Sequence, residues 1–174
     1  MTGKEFMKAV ANGKTDIVEL FLKLLEDTGS TYCVVRGLAV NAYAEPVVSL
    51  DLDLVVVSDR VDAVCEAARA KGFKTQGFEH SINLSILGSD LRIQLQTDPR
   101  YQGFLSRSVQ RDVLGYRMTV AALEDVLQGK IWAYSDKQRR KSKRQKDLAD
   151  ITRLVETHPA LKEDLPPEIR SQVE

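Results

Sequence analysis

Residues 31–57, TYCVVRGLAVNAYAEPVVSLDLDLVVV, decide how this chain is read. An apolar run over Tyr32–Val35 leads to a turn at Gly37 and a short helix over Leu38–Ala44. Pro46 then breaks the chain before a second apolar run, Asp51–Val57. Acidic residues are poor strand formers, yet Asp51 and Asp53 open a strand whose remainder is Leu and Val. Side chains alternate across a strand, so both carboxylates face one way, with Cα atoms about 6.6 Å apart. Two carboxylates on one face suit a hard cation such as Mg²⁺, which leaves room for substrate phosphates. Paired metals roughly 3.5–4 Å apart are a general solution for displacement at phosphorus. A strand entering from solvent also carries a polar start, and the Asp-x-Asp pair alone does not separate the two readings.

On the N-terminal side, Ile17, Leu20, Phe21, Leu24 and Leu25 recur at helical spacing and predict a helix over Thr15–Asp27. Thr15 or Asp16 would cap it, and Gly29 would stop it. On the C-terminal side, Val61–Lys71 reads as a helix ended by Gly72. The period then changes to two, with strands near Lys74–Phe78, Asn83–Leu87 and Leu91–Leu95 and a hairpin turn at Gly88–Asp90. A last strand is expected over Tyr116–Val120. Helices follow over Ala121–Tyr134 and Leu148–Val155, joined by the basic connection Lys137–Lys146, KQRRKSKRQK. Pro159, Pro166 and Pro167 mark the tail as a loosely held end. The expected fold class is α+β, a mixed sheet with helices on one side and a C-terminal helical subdomain. The division is residues 1–120 for the sheet domain with its N-terminal helix and 121–174 for a helical cap packed with it.

Bulk properties narrow the classes. The chain has 174 residues, 43% of them hydrophobic, enough for one domain with a real core. Twenty-five basic residues balance 25 acidic ones, so net charge gives no reason to expect nucleic acid or membrane; only local patches can. Cys33 and Cys65 sit in apolar patterns as buried small hydrophobes, which suits a reducing compartment. The first 14 residues lack a signal-peptide pattern, and no stretch approaches the roughly 20 apolar residues that span a bilayer. A soluble, cytoplasmic protein is the expectation.

Arg36-Gly37, then Asp51-Leu52-Asp53, then helical Lys130 and the run Lys146-Asp147-Leu148-Ala149-Asp150-Ile151 come in a telling order. This order resembles the nucleotidyltransferase superfamily with the DNA-polymerase-β-like palm, and most of all its minimal branch with the AbiEii-type toxins. The resemblance spans roughly Thr31 to Val155. It implies that Asp51 and Asp53 hold Mg²⁺ and that Arg36, Gly37 and Lys130 meet the phosphates of an NTP. Asp147 would orient Lys130 or help hold the acceptor. Helix N-termini favour anions and glycine allows close backbone approach, which gives the Gly37 role a physical basis. Other readings stay open: Gly37 as a plain turn, Lys130 on a solvated face, and Asp147 with Asp150 as first-turn acids favoured by the helix dipole.

Two positions depart from the family pattern. Arg36 stands where the first glycine of a pair is usual; its cation can contact phosphates or block the approach that the loop provides. Gln94 stands where a third carboxylate is common, and a neutral amide ligates Mg²⁺ weakly and accepts no proton. Asp98 shares the face of Gln94 but lies about 13 Å along an extended strand. The basic run suits the phosphates of an RNA acceptor, yet it holds no aromatic residue for base stacking; a solvated connection paired with acids is the alternative. His80 and His158 stand alone, and Tyr101 and Phe104 read as packing. The expected function is a Mg²⁺-dependent nucleotidyltransferase moving NMP from an NTP to a hydroxyl on RNA or protein. The toxin branch adds an antitoxin partner as an expectation. The alternative is a degenerate member kept as a nucleotide-binding or interaction module.

Overall fold

The structure, a computed structural model, describes residues 2–11, 13 and 15–174. Its strands are β1 (Tyr32–Val35), β2 (Asp51–Val56), β3 (Lys74–Gly77), β4 (Ser81–Ser85), β5 (Arg92–Gln96), β6 (Val109–Val113) and β7 (Tyr116–Val120). Its α-helices are α1 (Gly3–Val10), α2 (Ile17–Asp27), α3 (Arg36–Val40), α4 (Val61–Ala70), α5 (Leu123–Ser135), α6 (Lys141–Thr157) and α7 (Pro167–Val173). The strands form one mixed seven-stranded sheet in the order β3-β4-β5-β2-β1-β7-β6. The fold class is therefore α+β, as the pattern of elements predicts.

β2 is central because everything after its first residue is buried. It pairs antiparallel with β1 and parallel with β5. Pairing sets Asp53 beside Val35 on one flank and Gln94 on the other, and Gln94 in turn beside Asn83 of β4. Directly paired residues point to the same face, so Asp53, Gln94 and Asn83 form one polar row. Leu52 and Leu54 point the other way into the core, where each large side chain contributes about 1.5–3 kcal/mol.

Asp16 caps α2 through Glu19 N at 3.1 Å, the second of the two caps the sequence offers. Phe21 of α2 meets Phe73 edge-on at 5.8 Å just beyond α4, which fixes these helices against each other. Helix α1 is not among the elements read from the sequence; Thr2 and Glu5 make a capping box at its start, and Met7 is buried. Nor is β6, whose sequence VQRDV is polar through its centre and buries only Val113. The strand read at Asn83–Leu87 is displaced to Ser81–Ser85.

Two further corrections concern the C-terminal third. Most of the basic connection is the first part of α6, a 17-residue helix rather than the predicted eight-residue core. The tail is not loose. Leu161, Leu165 and Ile169 are buried in the same core cluster as Ile151 and Leu154 of α6. The prolines start helical turns at residues 159 and 167 instead of releasing the chain.

Candidate active site

Asp51 and Asp53 lie in a cleft of about 360 Å³ also lined by Arg36, Gly37, Gln94, Lys130 and Asp147. All six residues singled out from the sequence therefore meet in one place, with Gln94 beside them. Seven cationic side chains and four carboxylates line it, so the cleft is positive within a neutral chain. Such an excess focuses anions.

The two carboxylates differ in surroundings. Asp51 is partly exposed and its Oδ1 receives Arg92 Nε at 2.8 Å. Asp53 is 6% exposed, and among the described residues no ion pair or hydrogen bond reaches its carboxylate. Burial pushes its carboxyl above the ordinary range; Arg36 pulls against that rise and Asp51 adds to it. Burial opposes the Arg36 charge, but Asp53 leads the neighbours that outweigh it and raise the guanidinium.

The special backbone conformation lies at Arg36, not at Gly37. Arg36 has φ of 62°, a left-handed geometry that costs an L-residue about 1–2 kcal/mol. A Cβ at Gly37 would meet only Ser49, at an ordinary 3.6 Å. The strain aims the Arg36 side chain across the sheet, where Nη2 donates to Gln96 Oε1 at 3.4 Å. The bulky residue at the turn is thus a wall of the cleft.

Lys130 and Asp147 are 5% and 1% exposed, which overturns the solvated-face reading. Lys130 Nζ donates to Asp147 Oδ1 at 3.0 Å and pairs with Asp150 Oδ2 at 2.8 Å. Arg139 Nε meets Asp147 Oδ2 at 2.7 Å, and Arg153 Nη2 meets Asp150 Oδ1 at 2.8 Å. Asp147 and Asp150 are mid-helix acids, since α6 starts at Lys141, so the dipole reading of them also fails. This network ties α5 to α6 behind the carboxylates.

Arg153 and the lip Val47-Val48-Ser49, which the sequence did not mark, also line the cleft, as does Arg139 of the basic run Lys137–Lys146. Arg139 was one cation among many, and nothing in its neighbours marked it. The lip had a signal: it follows Pro46 and precedes Asp51. Asn41 holds it in place, donating to Val47 O at 2.7 Å and accepting from Val47 N at 2.9 Å. Asp98 is no third acid for this cleft; it caps the 3₁₀ turn at Pro99–Arg107 and grips Arg100. Tyr101 and Phe104 pack edge-on at 5.3 Å, and Cys33 and Cys65 are buried free thiols. His158 Nε2 contacts Tyr43 O at 2.7 Å.

Among the described residues, no three His, Cys, Asp or Glu side chains form a metal-binding group. The donors at hand are the Asp51 and Asp53 carboxylates and the Gln94 amide oxygen. These are hard oxygen donors that suit one small dication better than two. An otherwise unpartnered buried carboxylate at Asp53 fits that use.

No protein-family model matches the sequence, and no curated protein matches it significantly. Solved structures do match in fold. ANT(2'')-Ia in complex with adenylyl-2''-tobramycin has a TM-score of 0.65 at 15% identity, over 91% of this chain and 97% of that one. The lincosamide antibiotic adenylyltransferase LnuA, lincomycin-bound, has a TM-score of 0.58 at 11% identity, over 82% and 99%. An antigenic nucleotidyltransferase-like protein from Paracoccidioides brasiliensis has a TM-score of 0.54 at 17% identity, over 89% and 83%. With its central Asp-x-Asp strand and mixed sheet, this chain has the nucleotidyltransferase fold.

Proposed function

We propose that this protein is a nucleotidyltransferase that moves a nucleoside monophosphate from an NTP to a hydroxyl group on RNA or protein. The observation that carries this reading is the convergence of Asp51, Asp53, Arg36 and the Lys130–Asp147 pair on one positive cleft. Asp51 and Asp53, with the Gln94 amide oxygen, are the residues that would hold Mg²⁺. When bound, the ion would neutralise charge on the nucleotide phosphates.

The acceptor oxygen attacks the α-phosphorus, the bond from that phosphorus to the α,β-bridging oxygen breaks, and pyrophosphate leaves. Asp53, whose carboxylate meets no ion-pair or hydrogen-bond partner among the described residues while Asp51 is held by Arg92, is the group placed to take the hydroxyl proton. Arg36 and Arg139 offer charge to the departing phosphates, while Lys130 is held by two carboxylates and acts chiefly on position. Under this reading residues 1–120 supply the two carboxylates that would hold the ion and residues 121–174 supply most of the cations. Placement in the minimal toxin-like branch, with an antitoxin partner, is supported by the KDLADI resemblance.

A second reading, a degenerate nucleotide-binding or interaction module, is favoured by Arg36 and Gln94 at positions where the family pattern has glycine and acid. Labelled NTPs, Mg²⁺ and total RNA separate the two. Label transfer lost in Asp53→Asn supports the enzyme; NTP binding with no transfer to RNA or protein supports the module.

A further inference from the structure

A second cleft of about 400 Å³ abuts the first, sharing Arg36 and Arg139 as a common wall. Gln96 lies in it and is 4% exposed. Its Oε1 must face Arg36, because a guanidinium only donates. Its Nε2 is thereby turned away, buried and without an acceptor among the described residues, as is Arg36 Nε. Buried donors left unpaired are costly, so the pair calls for a ligand with acceptor atoms.

Of the two acids of this cleft, one is held by a cation. Asp98 holds Arg100 Nη2 at 2.9 Å and Nε at 3.1 Å, and Asp136 Oδ1 accepts from Gln138 N. Only Asp136 has no ion-pair partner among the described residues, so a polycationic ligand finds a single carboxylate here. The guanidinium of Arg100 lies over Trp132, 4.6 Å from the ring centre, while Phe104 stacks on that ring. Its side chain is still 56% exposed, so a held cationic plane is open to a flat ring. Arg139 then leads to Arg140, Lys143 and Lys146, which line the first cleft and have no ion pair among the described residues.

We propose that the second cleft is an acceptor subsite that seats the terminal base of a single-stranded RNA. The base lies on Arg100, and its carbonyl or ring-nitrogen acceptors take the free Gln96 and Arg36 donors. The phosphate behind it passes Arg139. The stacking platform that the basic run lacks in sequence is thus supplied by Trp132 and Arg100 in space. This inference rests on the transferase reading and narrows its acceptor.

Trp132 is the chain's single tryptophan, so its fluorescence reports this cleft directly. The test titrates the full chain with a short oligoribonucleotide and, separately, follows Mg²⁺–ATP binding by calorimetry. A saturable change in Trp132 emission with RNA is expected. Arg100→Ala and Gln96→Leu should each weaken RNA about tenfold, with circular dichroism confirming the fold. Arg100→Ala should leave Mg²⁺–ATP affinity unchanged. RNA that leaves Trp132 silent while Mg²⁺–ATP still binds overturns the subsite and spares the transferase reading. Parental RNA affinity in both variants overturns it too. RNA binding sensed by Trp132 in a chain that binds no nucleotide sinks the transferase and overturns the cleft's role as an acceptor subsite, leaving it an RNA-binding cleft alone.

Discussion

Burial makes the charged form of Asp53 costly to the fold. Its folded-state carboxyl titrates above the ordinary value, so stability from this group is full at low pH and is lost as pH rises through the folded value. Asp53→Asn should therefore melt at a higher temperature than the parent at neutral pH, with the gap closing as pH falls into the acid range. Mg²⁺ should raise the melting temperature of the parent and not of the variant. Thermal scans with and without the ion check both statements. Arg36 carries the opposite charge on a strained backbone. Arg36→Gly should relieve about 1–2 kcal/mol of left-handed strain, offset by the lost cation beside Asp53. Net stability within roughly 1 kcal/mol of the parent and about tenfold weaker nucleotide binding are expected, by urea unfolding and calorimetry. The turn was legible from Gly37, but which residue bore the strain was not; φ at Arg36 depends on where the strand delivers the chain.

At the scale of elements, α5 and α6 are joined by charge as much as by apolar packing. Lys130→Met leaves Asp147 and Asp150 buried without their shared cation and should cost about 3–5 kcal/mol in urea unfolding. A loss below about 1 kcal/mol would mean the pair is solvated in solution. The C-terminal turns are equally structural. Ile169 is 3% exposed, and Ile169→Ala should lose about 2–5 kcal/mol. These elements were the hardest to read. The basic start of α6 has no apolar period, since its face lies on a polar cleft, and the tail buries only Leu161, Leu165 and Ile169, spaced four apart among polar residues and prolines. β2 was the easiest, because two acids before an apolar run leave few other interpretations.

For the whole molecule, a net charge of zero hides a strong separation of charge. No helix is long and apolar enough to cross a membrane among the described residues, so bulk character points nowhere in particular. The positive cleft does. RNA affinity should fall steeply with salt, roughly 0.7 log units per contacted phosphate per log unit of salt. Replacing Arg140, Lys143 and Lys146 together with Ala should flatten that slope by about 2, a change read directly from binding isotherms over a salt series. Local periodicity by itself determined the α+β class and the strand that sets Asp51 and Asp53 on one face, while Arg36, Gly37, Lys130 and Asp147 were singled out by the order of motifs that resembles the nucleotidyltransferases. Alternation and helical spacing are properties of neighbours in the chain, so they survive without a structure. Only the tertiary structure decided that Lys130 is bound by two acids, that Arg36 rather than Gly37 bears the strain, and that Gln96, Arg100 and Trp132 enclose a second cleft. Those facts join residues far apart in sequence, and packing across the sheet, not local pattern, brings their side chains within reach.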